Sequence, residues 1–294
     1  MDFFSFSNSF WVTLAPILAA QVYFAVTMAV FFYFRKKRNW QPPSYILDGR
    51  STSKFLNVTL KHWWFWQILP VSKLFIKLRV TPNMLTMVGF LLNCVAALFL
   101  AKGLFGYGGW FVAFGASFDV FDGYVAMLTN QKTRSGGFFD SVVDRFSEGV
   151  VFLGLAYYFH NSWVLGFIIA ALVGSMLVSY TRARAEVLGV DVRKVGSMQR
   201  AERVVYICVS AIFEPLTTSI SHFWWENPYP VFVVGAICLI GVMSNGTAIY
   251  RMLHVMNVLD REDKKGVETI PQMLQQLTTK EGREQFWKNR KQSA

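Results

Sequence analysis

Charged residues are scarce in this sequence, and their scarcity limits the class of protein. They make up 16% of the 294 residues, against about 25% in a typical soluble domain. Hydrophobic residues make up 53% and the mean hydropathy is +0.34, which excludes an ordinary soluble domain and predicts an integral membrane protein. In such a protein a net charge of +11 indicates cytoplasmic loops and contacts with membrane lipids. No nucleic-acid partner is expected.

Cysteine is also rare, and the three cysteines lie far apart within apolar stretches, at Cys94, Cys208 and Cys238. They lack the spacing of metal ligands, so we interpret them as packing residues. The start of the chain lacks the basic residues of a cleaved signal peptide, and its apolar run is too long for one. A membrane span is therefore predicted there.

Seven apolar segments have the length of a membrane-spanning helix, which needs about 20 residues. They are Phe10–Phe34, Met84–Ala101, Gly109–Leu128, Phe138–His160, Trp163–Tyr180, Val204–Ile220 and Pro230–His254. An eighth segment, Ser53–Leu78, mixes tryptophan and phenylalanine with lysine, which is typical of an amphipathic helix lying in the membrane interface. Thr81 and Pro82 predict the start of the next span, since threonine is a good N-cap and proline suits the first helical position.

Lysine and arginine are nearly absent from one set of connections between the spans. This set comprises the N-terminus, Gly103–Gly108, Asn161–Ser162 and Glu214–Pro228. The other set is strongly basic and comprises Arg35 to Arg38, Lys132 and Arg134, Arg182 to Arg203, and the tail after Arg251. Because positive loops stay on the cytoplasmic side, seven spans with the N-terminus outside and the C-terminus in the cytoplasm satisfy every connection.

Four aspartates lie within two predicted spans, at Asp119, Asp122, Asp140 and Asp144. Carboxylates at bilayer depth are costly unless something compensates their charge. Spacings of three and four residues place each pair on one face of its helix. The predicted topology puts all four in the cytoplasmic half of the bilayer, so two facing helices would bring four carboxylates together.

Four facing carboxylates require cations, because like charges repel strongly in a medium of low dielectric constant. Oxygen ligands without histidine or cysteine select Mg²⁺, Mn²⁺ or Ca²⁺ over zinc, and two ions could share four aspartates. The small residues Gly123 and Ala126 leave room for a flat group such as a nucleotide base, although tight helix packing also explains them. A proton or sodium pathway in a transporter is the alternative use of the aspartates.

The pattern around these aspartates resembles the signature of the CDP-alcohol phosphotransferase family. It reads DxxDGxxA from Asp119, then nine residues, then GxxxDxxxD ending at Asp144. The resemblance extends over about Leu78 to Arg251, and the segments before it look like additions to the six-span core of the family. One position departs, because Met127 stands where the family motif has arginine.

The resemblance implies a reaction in which a CDP-linked lipid, usually CDP-diacylglycerol, reacts with an alcohol to form a phosphodiester and release CMP. It also implies Mg²⁺ or Mn²⁺ as the cofactor, with two ions bound. By similarity, the metal bridging the pyrophosphate would be held by Asp119, Asp122 and Asp140. Asp144 would contact a second metal and act as general base on the acceptor hydroxyl. The cytidine would lie beside Gly123 and Ala126.

Arginines at the cytoplasmic ends of three spans suggest the acceptor. Arg182, Arg203 and Arg251 could converge on a phosphomonoester, although topology and lipid headgroups alone would also place arginine there. The run SYTRARAExLG followed by ER resembles bacterial phosphatidylinositol-phosphate synthases, which implies inositol 1-phosphate as acceptor. Arg184 and Arg200 are further candidates, and glycerol 3-phosphate, for phosphatidylglycerophosphate synthesis, is the alternative acceptor.

The predicted fold class is therefore an all-α integral membrane protein with a six-span CDP-alcohol phosphotransferase core. Residues 1–50 form an extra span and basic linker, 51–80 the interfacial helix, 81–256 the catalytic core, and 257–294 a cytoplasmic tail. The resemblance implies a bacterial inner membrane, an active site facing the cytoplasm, donor entry from the inner leaflet, and a homodimer. The alternatives from other classes are a cation-coupled transporter, for which neither a repeat nor broken helices are found, and a catalytically weak lipid-binding relative, suggested by Met127.

Overall fold

The computed structural model describes residues 10–38, 58–221 and 229–278, and in these ranges the chain forms helices and connecting turns without strands. The helices are α1 (Phe10–Arg38), α2 (Val58–Lys77), α3 (Pro82–Ala101), α4 (Phe105–Leu128), α5 (Arg134–Tyr158), α6 (Val164–Val187), α7 (Arg200–Ser221) and α8 (Val231–Thr278). The predicted all-α fold class is confirmed. Residues 1–9, the linker 39–57 before α2, residues 222–228 of the loop before α8 and residues 279–294 of the tail lie outside the described residues.

Each of the seven predicted spans corresponds to one helix, α1 or α3 to α8. Length and composition qualify five of these helices to cross a membrane, over Ile17–Lys37, Pro82–Ala101, Phe105–Leu128, Val164–Val187 and Val231–Lys264. The remaining two, α5 and α7, carry buried charged side chains that pair with each other. The helices are thus confirmed, while the spanning role of α5 and α7 stays a prediction.

The start of α3 follows its sequence signal closely. Thr81 is the N-cap residue with an extended backbone (φ −78°, ψ 153°), and Pro82 occupies the first helical turn. Two residues before Thr81, Arg79 adopts a left-handed conformation with φ of 56°, which ends α2. The predicted interfacial segment is therefore a separate helix, and its location in the membrane interface stays a prediction.

Small residues let α3 pack closely against both aspartate-bearing helices. A Cβ atom on Gly115 of α4 would lie 2.4 Å from the Asn93 amide nitrogen, and one on Gly154 of α5 would lie 2.5 Å from the Ala97 carbonyl oxygen. Such small residues are typical of membrane helix interfaces, where backbones approach closely. Because α3 contacts α4 on one side and α5 on the other, it sets the relative position of the two pairs of aspartates.

The last helix is longer than the span predicted within it. Helix α8 continues without a break to Thr278, well past the expected boundary at residue 256. Val255, Val258 and Leu259 pack against Ala185 and Val192 in a second, smaller core. This contact gives the extension of α8 an apolar partner, so the helix does not end with the core span.

Candidate active site

The connection between α4 and α5 determines how their aspartates meet. Thr133 caps α5, and its side chain accepts a hydrogen bond of 3.0 Å from the backbone nitrogen of Gly136. Asn130 has a φ of 57°, a left-handed conformation that asparagine adopts more easily than most residues. The short turn between these two residues leads the chain into α5, which packs with α4 on the common neighbour α3.

Three of the four aspartates come together. Asp119, Asp140 and Asp144 each offer a carboxylate oxygen, and these oxygens all lie within 4.8 Å of one another. The Oδ1 atom of Asp140 is buried and has no hydrogen-bond partner among the described residues. A set of carboxylate oxygens with one unsatisfied member fits a hard divalent cation such as Mg²⁺ or Mn²⁺.

Asp122 lies outside this group of three. It is buried, and its Oδ2 accepts a hydrogen bond of 2.5 Å from the hydroxyl of Thr86 on α3. Helix α3 therefore already satisfies one oxygen of the carboxylate expected to complete the metal site. The role of Asp122 as a metal ligand stays a prediction. No motif in the sequence pointed to Thr86, because its relevance comes only from the packing of α3 on α4.

Arg200, at the start of α7, reaches into the group of three aspartates. Its Nη1 lies 2.9 Å from Oδ2 of Asp119, and its Nη2 lies 2.7 Å from Oδ1 of Asp144. One guanidinium thus connects the two aspartate-bearing helices and offsets part of their charge. The sequence interpretation treated Arg200 as a secondary candidate for the acceptor, whereas the structure places it directly at the carboxylates.

Arg203, one turn further along α7, lies in a fully enclosed position. Its Nε and Nη2 donate to the two oxygens of Glu148 at 2.5 and 3.0 Å, and its Nη1 donates to the carbonyl oxygen of Met198 at 3.2 Å. Glu148 follows Asp144 by four residues, so it extends the acidic face of α5 by one turn. Sequence reasoning missed this residue, although the same spacing was the available signal.

The other two predicted acceptor arginines lie in contrasting environments. Arg251 is buried and donates to the carbonyl oxygens of Val195 and Val178, both at 2.8 Å. Arg182 is exposed over 48% of its side chain and pairs with Glu186 at 2.9 Å. Arg203 and Arg251 therefore hold the connection between α6 and α7, and Arg182 has the most accessible guanidinium of the three.

The predicted nucleotide-binding positions lie on the last turns of α4. Gly123 and Ala126 are both half-buried. Met127 packs against the small apolar cluster that Tyr124 forms with Ile68 of α2. The residue that replaces the family arginine thus belongs to an apolar cluster shared by α4 and α2, and cytidine binding beside Gly123 and Ala126 stays a prediction.

Comparison with known proteins identifies relatives of this chain. Residues 79–243 match the family model of CDP-alcohol phosphatidyltransferase. The chain is 32% identical over 194 residues to an archaetidylinositol phosphate synthase of Methanothermobacter thermautotrophicus, covering 64% of this chain and 92% of the relative. It is 30% identical to a phosphatidylinositol phosphate synthase of Streptomyces avermitilis, covering 64% and 77% of the two chains.

Solved structures of a phosphatidylinositol phosphate synthase from Mycobacterium tuberculosis have a similar fold. The form with CDP-DAG bound superposes with a TM-score of 0.54 at 29% identity, covering 64% of this chain and 92% of the other. The complex with manganese and citrate superposes with a TM-score of 0.55 at 28% identity, covering 64% and 88%. The matched range 79–243 includes all four aspartates, Arg200 and Arg203, and it excludes α1, α2 and Arg251.

Proposed function

The chain belongs to the CDP-alcohol phosphatidyltransferase family, and from this membership we propose that it transfers the lipid phosphate group of a CDP-linked lipid to an inositol phosphate. Membership of the family makes the chain an integral membrane phospholipid synthase that uses an alcohol acceptor. The observation that carries the proposal is the convergence of Asp119, Asp140 and Asp144 within the family signature. The relatives named above include both archaetidylinositol phosphate and phosphatidylinositol phosphate synthases, so inositol phosphate is common to them while the lipid differs.

We propose that the aspartates hold Mg²⁺ or Mn²⁺ as two ions, with Asp119, Asp122, Asp140 and Asp144 as ligands. Bound cations would neutralise the charge on the pyrophosphate and on the transferred phosphoryl group. The manganese complex of the M. tuberculosis synthase supports a divalent metal in this family. For Asp122 to become a ligand, its Oδ1 would serve while Thr86 keeps Oδ2 in place.

Asp144 is proposed as the general base. It accepts the proton of the acceptor hydroxyl while that oxygen attacks the lipid-side phosphorus, and the bond from this phosphorus to the oxygen of the departing CMP breaks. Arg200 holds one oxygen of Asp144 at 2.7 Å, which orients the carboxylate for this task. Gly123 and Ala126 are proposed to lie beside the cytidine.

The acceptor phosphate is proposed to bind at the arginine-rich ends of α6, α7 and α8. Arg182 is the first candidate because its guanidinium is accessible, and Arg203 and Arg251 would shape the surrounding surface through the α6–α7 connection. Glycerol 3-phosphate demands similar cations and remains the alternative acceptor. We further propose that this face points to the cytoplasm of a bacterial inner membrane, with the N-terminus outside, and that the enzyme is a homodimer.

The test is turnover by the purified full-length chain. CDP-diacylglycerol and CDP-archaeol are each supplied with Mg²⁺ or Mn²⁺ and with inositol 1-phosphate, glycerol 3-phosphate or no acceptor. We expect metal-dependent CMP release with inositol 1-phosphate, lost on adding EDTA and regained with excess Mn²⁺. CMP release that responds only to glycerol 3-phosphate would establish the alternative acceptor.

Met127 provides the test for the catalytically weak relative. If the natural chain releases no CMP with any acceptor while Met127→Arg does, the natural protein binds lipid without efficient catalysis. We expect the natural chain to be active, because Met127 packs against the apolar cluster of Tyr124 and Ile68 and an arginine there would disturb it. The transporter alternative finds no support, since the family to which the chain belongs consists of transferases.

A further inference from the structure

The connection between α6 and α7 is held near its end by α8. The hydroxyl oxygen of Thr247 accepts a hydrogen bond of 3.2 Å from the backbone nitrogen of Met198. One helical turn further along α8, Arg251 donates from Nε to the carbonyl oxygen of Val195 at 2.8 Å. Thr247, Met198 and Arg251 are all buried. The last residues before α7 are therefore fixed to one face of α8 at two points.

Close packing reinforces these hydrogen bonds. Gly196 lies between the two points and has a left-handed φ of 90°, a conformation that glycine adopts at little cost. A Cβ atom on Gly196 would lie 2.3 Å from Cγ2 of Thr247. Both branches of the Thr247 side chain thus meet the connection, the hydroxyl at Met198 and the methyl group at Gly196.

Met198 is also held from the opposite side. Its carbonyl oxygen accepts a hydrogen bond of 3.2 Å from Nη1 of Arg203, whose Nε and Nη2 pair with Glu148 of α5. Side chains from two different helices therefore bind the backbone N–H and the backbone carbonyl of this one residue. Because buried backbone groups are costly to leave without partners, these contacts fix the chain two residues before Arg200.

Arg200 is the first residue of α7, so its backbone belongs to the connection as much as to the helix. Its Nη1 and Nη2 lie 2.9 Å from Asp119 and 2.7 Å from Asp144. Its Nε is buried and has no hydrogen-bond partner among the described residues. Because the guanidinium bridges two helices through its terminal nitrogens, a shift of the Arg200 backbone would alter both distances.

We propose that Thr247 is a positioning residue: it holds the α6–α7 connection so that Arg200 stays between the two aspartate-bearing helices. The path runs from the Thr247 hydroxyl to the Met198 backbone and from there into the first turn of α7. Thr247 thus acts on the carboxylates through Arg200. For its effect on turnover, the inference rests on the proposed function.

The first measurement tests whether Thr247 holds the connection. Thr247→Val keeps the branched shape and removes the acceptor of the Met198 N–H, whereas Thr247→Ser keeps the hydroxyl. Arg193, in the same connection, is exposed and offers a site for trypsin. We expect cleavage after Arg193 to be about three- to tenfold faster in Thr247→Val, the usual effect of one lost hydrogen bond, and unchanged in Thr247→Ser.

Thr129→Val is the matched control for cleavage, because the Thr129 hydroxyl bonds to the carbonyl of Val125 within its own helix. It should leave the cleavage rate unchanged. Equal rates in Thr247→Val and Thr129→Val would overturn the inference.

The second measurement tests whether Thr247 acts through Arg200, and it needs no turnover. Mn²⁺ binding to the purified full-length chain is measured by electron paramagnetic resonance for the natural chain, Thr247→Val, Arg200→Gln and the double variant. Arg200→Gln should lower the Kd for Mn²⁺ by about tenfold, because one positive charge leaves the carboxylates. Thr247→Val should lower it too, and the double variant should match Arg200→Gln alone. Additive effects, or no effect of Thr247→Val, would overturn the inference.

Turnover separates this inference from the proposed function. Thr247→Val should lower kcat by about 10- to 100-fold, the penalty of a misplaced group, without changing the KM for the CDP-lipid, and Thr247→Ser should keep the natural kcat. Coupled Mn²⁺ shifts in a protein that releases no CMP would support the positioning role while the proposed function fails. CMP release together with additive Mn²⁺ shifts would leave the function standing and overturn the positioning role.

Discussion

The acidic side chains of α4 and α5 and the basic side chains of α6, α7 and α8 behave differently, although both sets lie at the same end of the molecule. Asp119, Asp140 and Asp144 converge, because they sit on two helices joined by one short turn. The arginines come from three helices, and an irregular connection separates α6 from α7. Two of them, Arg203 and Arg251, are enclosed by the protein itself. The aspartates thus converge because their two helices are joined by a short turn. The positions of the arginines depend instead on the longer connection between α6 and α7.

The largest effect should come from Asp144→Asn, which keeps the shape of the side chain and removes the proposed base. We expect CMP release to fall by roughly 10²–10⁴-fold, the usual contribution of a positioned base. Asp191→Asn is the matched control. Asp191 is an exposed aspartate whose carboxyl pKa is held below its usual range by hydrogen bonds from Arg193, and its loss should leave turnover unchanged. Full turnover in Asp144→Asn would remove Asp144 from the mechanism.

Arg203→Met should affect stability, because it leaves the Glu148 carboxylate buried without its partner. The free energy of unfolding should fall by about 3–5 kcal/mol, seen as a lower Tm in detergent, with partial recovery when Glu148→Met is added. Arg193→Met, which breaks an exposed pair, should not change Tm. An unchanged Tm in Arg203→Met with a higher KM for the acceptor would instead make Arg203 a phosphate ligand.

Thr86→Val tests the hydrogen bond that Asp122 accepts from α3. Removing the hydroxyl leaves one oxygen of a buried carboxylate without its donor, so the unfolding free energy should fall by about 1–3 kcal/mol. Thr129→Val is the control, because that hydroxyl bonds to the carbonyl of Val125 within its own helix. Tm values of the two variants provide the comparison, and equal values would show that the Thr86 contact contributes nothing to stability.

Arg182→Gln should have the smallest effect on stability and a selective effect on the acceptor. Its exposed pair with Glu186 is worth about 0–1 kcal/mol, so Tm should hardly move. The KM for the acceptor should rise while the KM for the CDP-lipid stays the same. Lys194→Gln, on the neighbouring connection, serves as the control. A KM for the acceptor that matches the control would exclude Arg182 from phosphate binding.

Local signals in the chain predicted most of the helices and three members of the aspartate group. Each of the seven apolar segments corresponds to a helix in the structure, and α3 starts where Thr81 and Pro82 predicted. These signals are local, because each lies within a single helix or its cap. The partner of Asp122, the enclosure of Arg203 and the extension of α8 were not predictable in this way. Each depends on a contact between residues far apart in sequence, such as Thr86 with Asp122 or Val258 with the α6–α7 connection.

The amino-acid sequence by itself determined the membrane class, the helices and the placing of the acidic residues on one face of each helix, because hydropathy and helical periodicity are local properties. Tertiary structure alone decided which charges meet. Close packing of α3 on α4 gives the Asp122 carboxylate a hydrogen bond from Thr86. The connection before α7 places Arg200 within ion-pair distance of Asp119 and Asp144. It also decided that an open apolar cavity forms between α1, α2 and α4, since apolar helices of this kind carry no local signal of the neighbour against which they will pack.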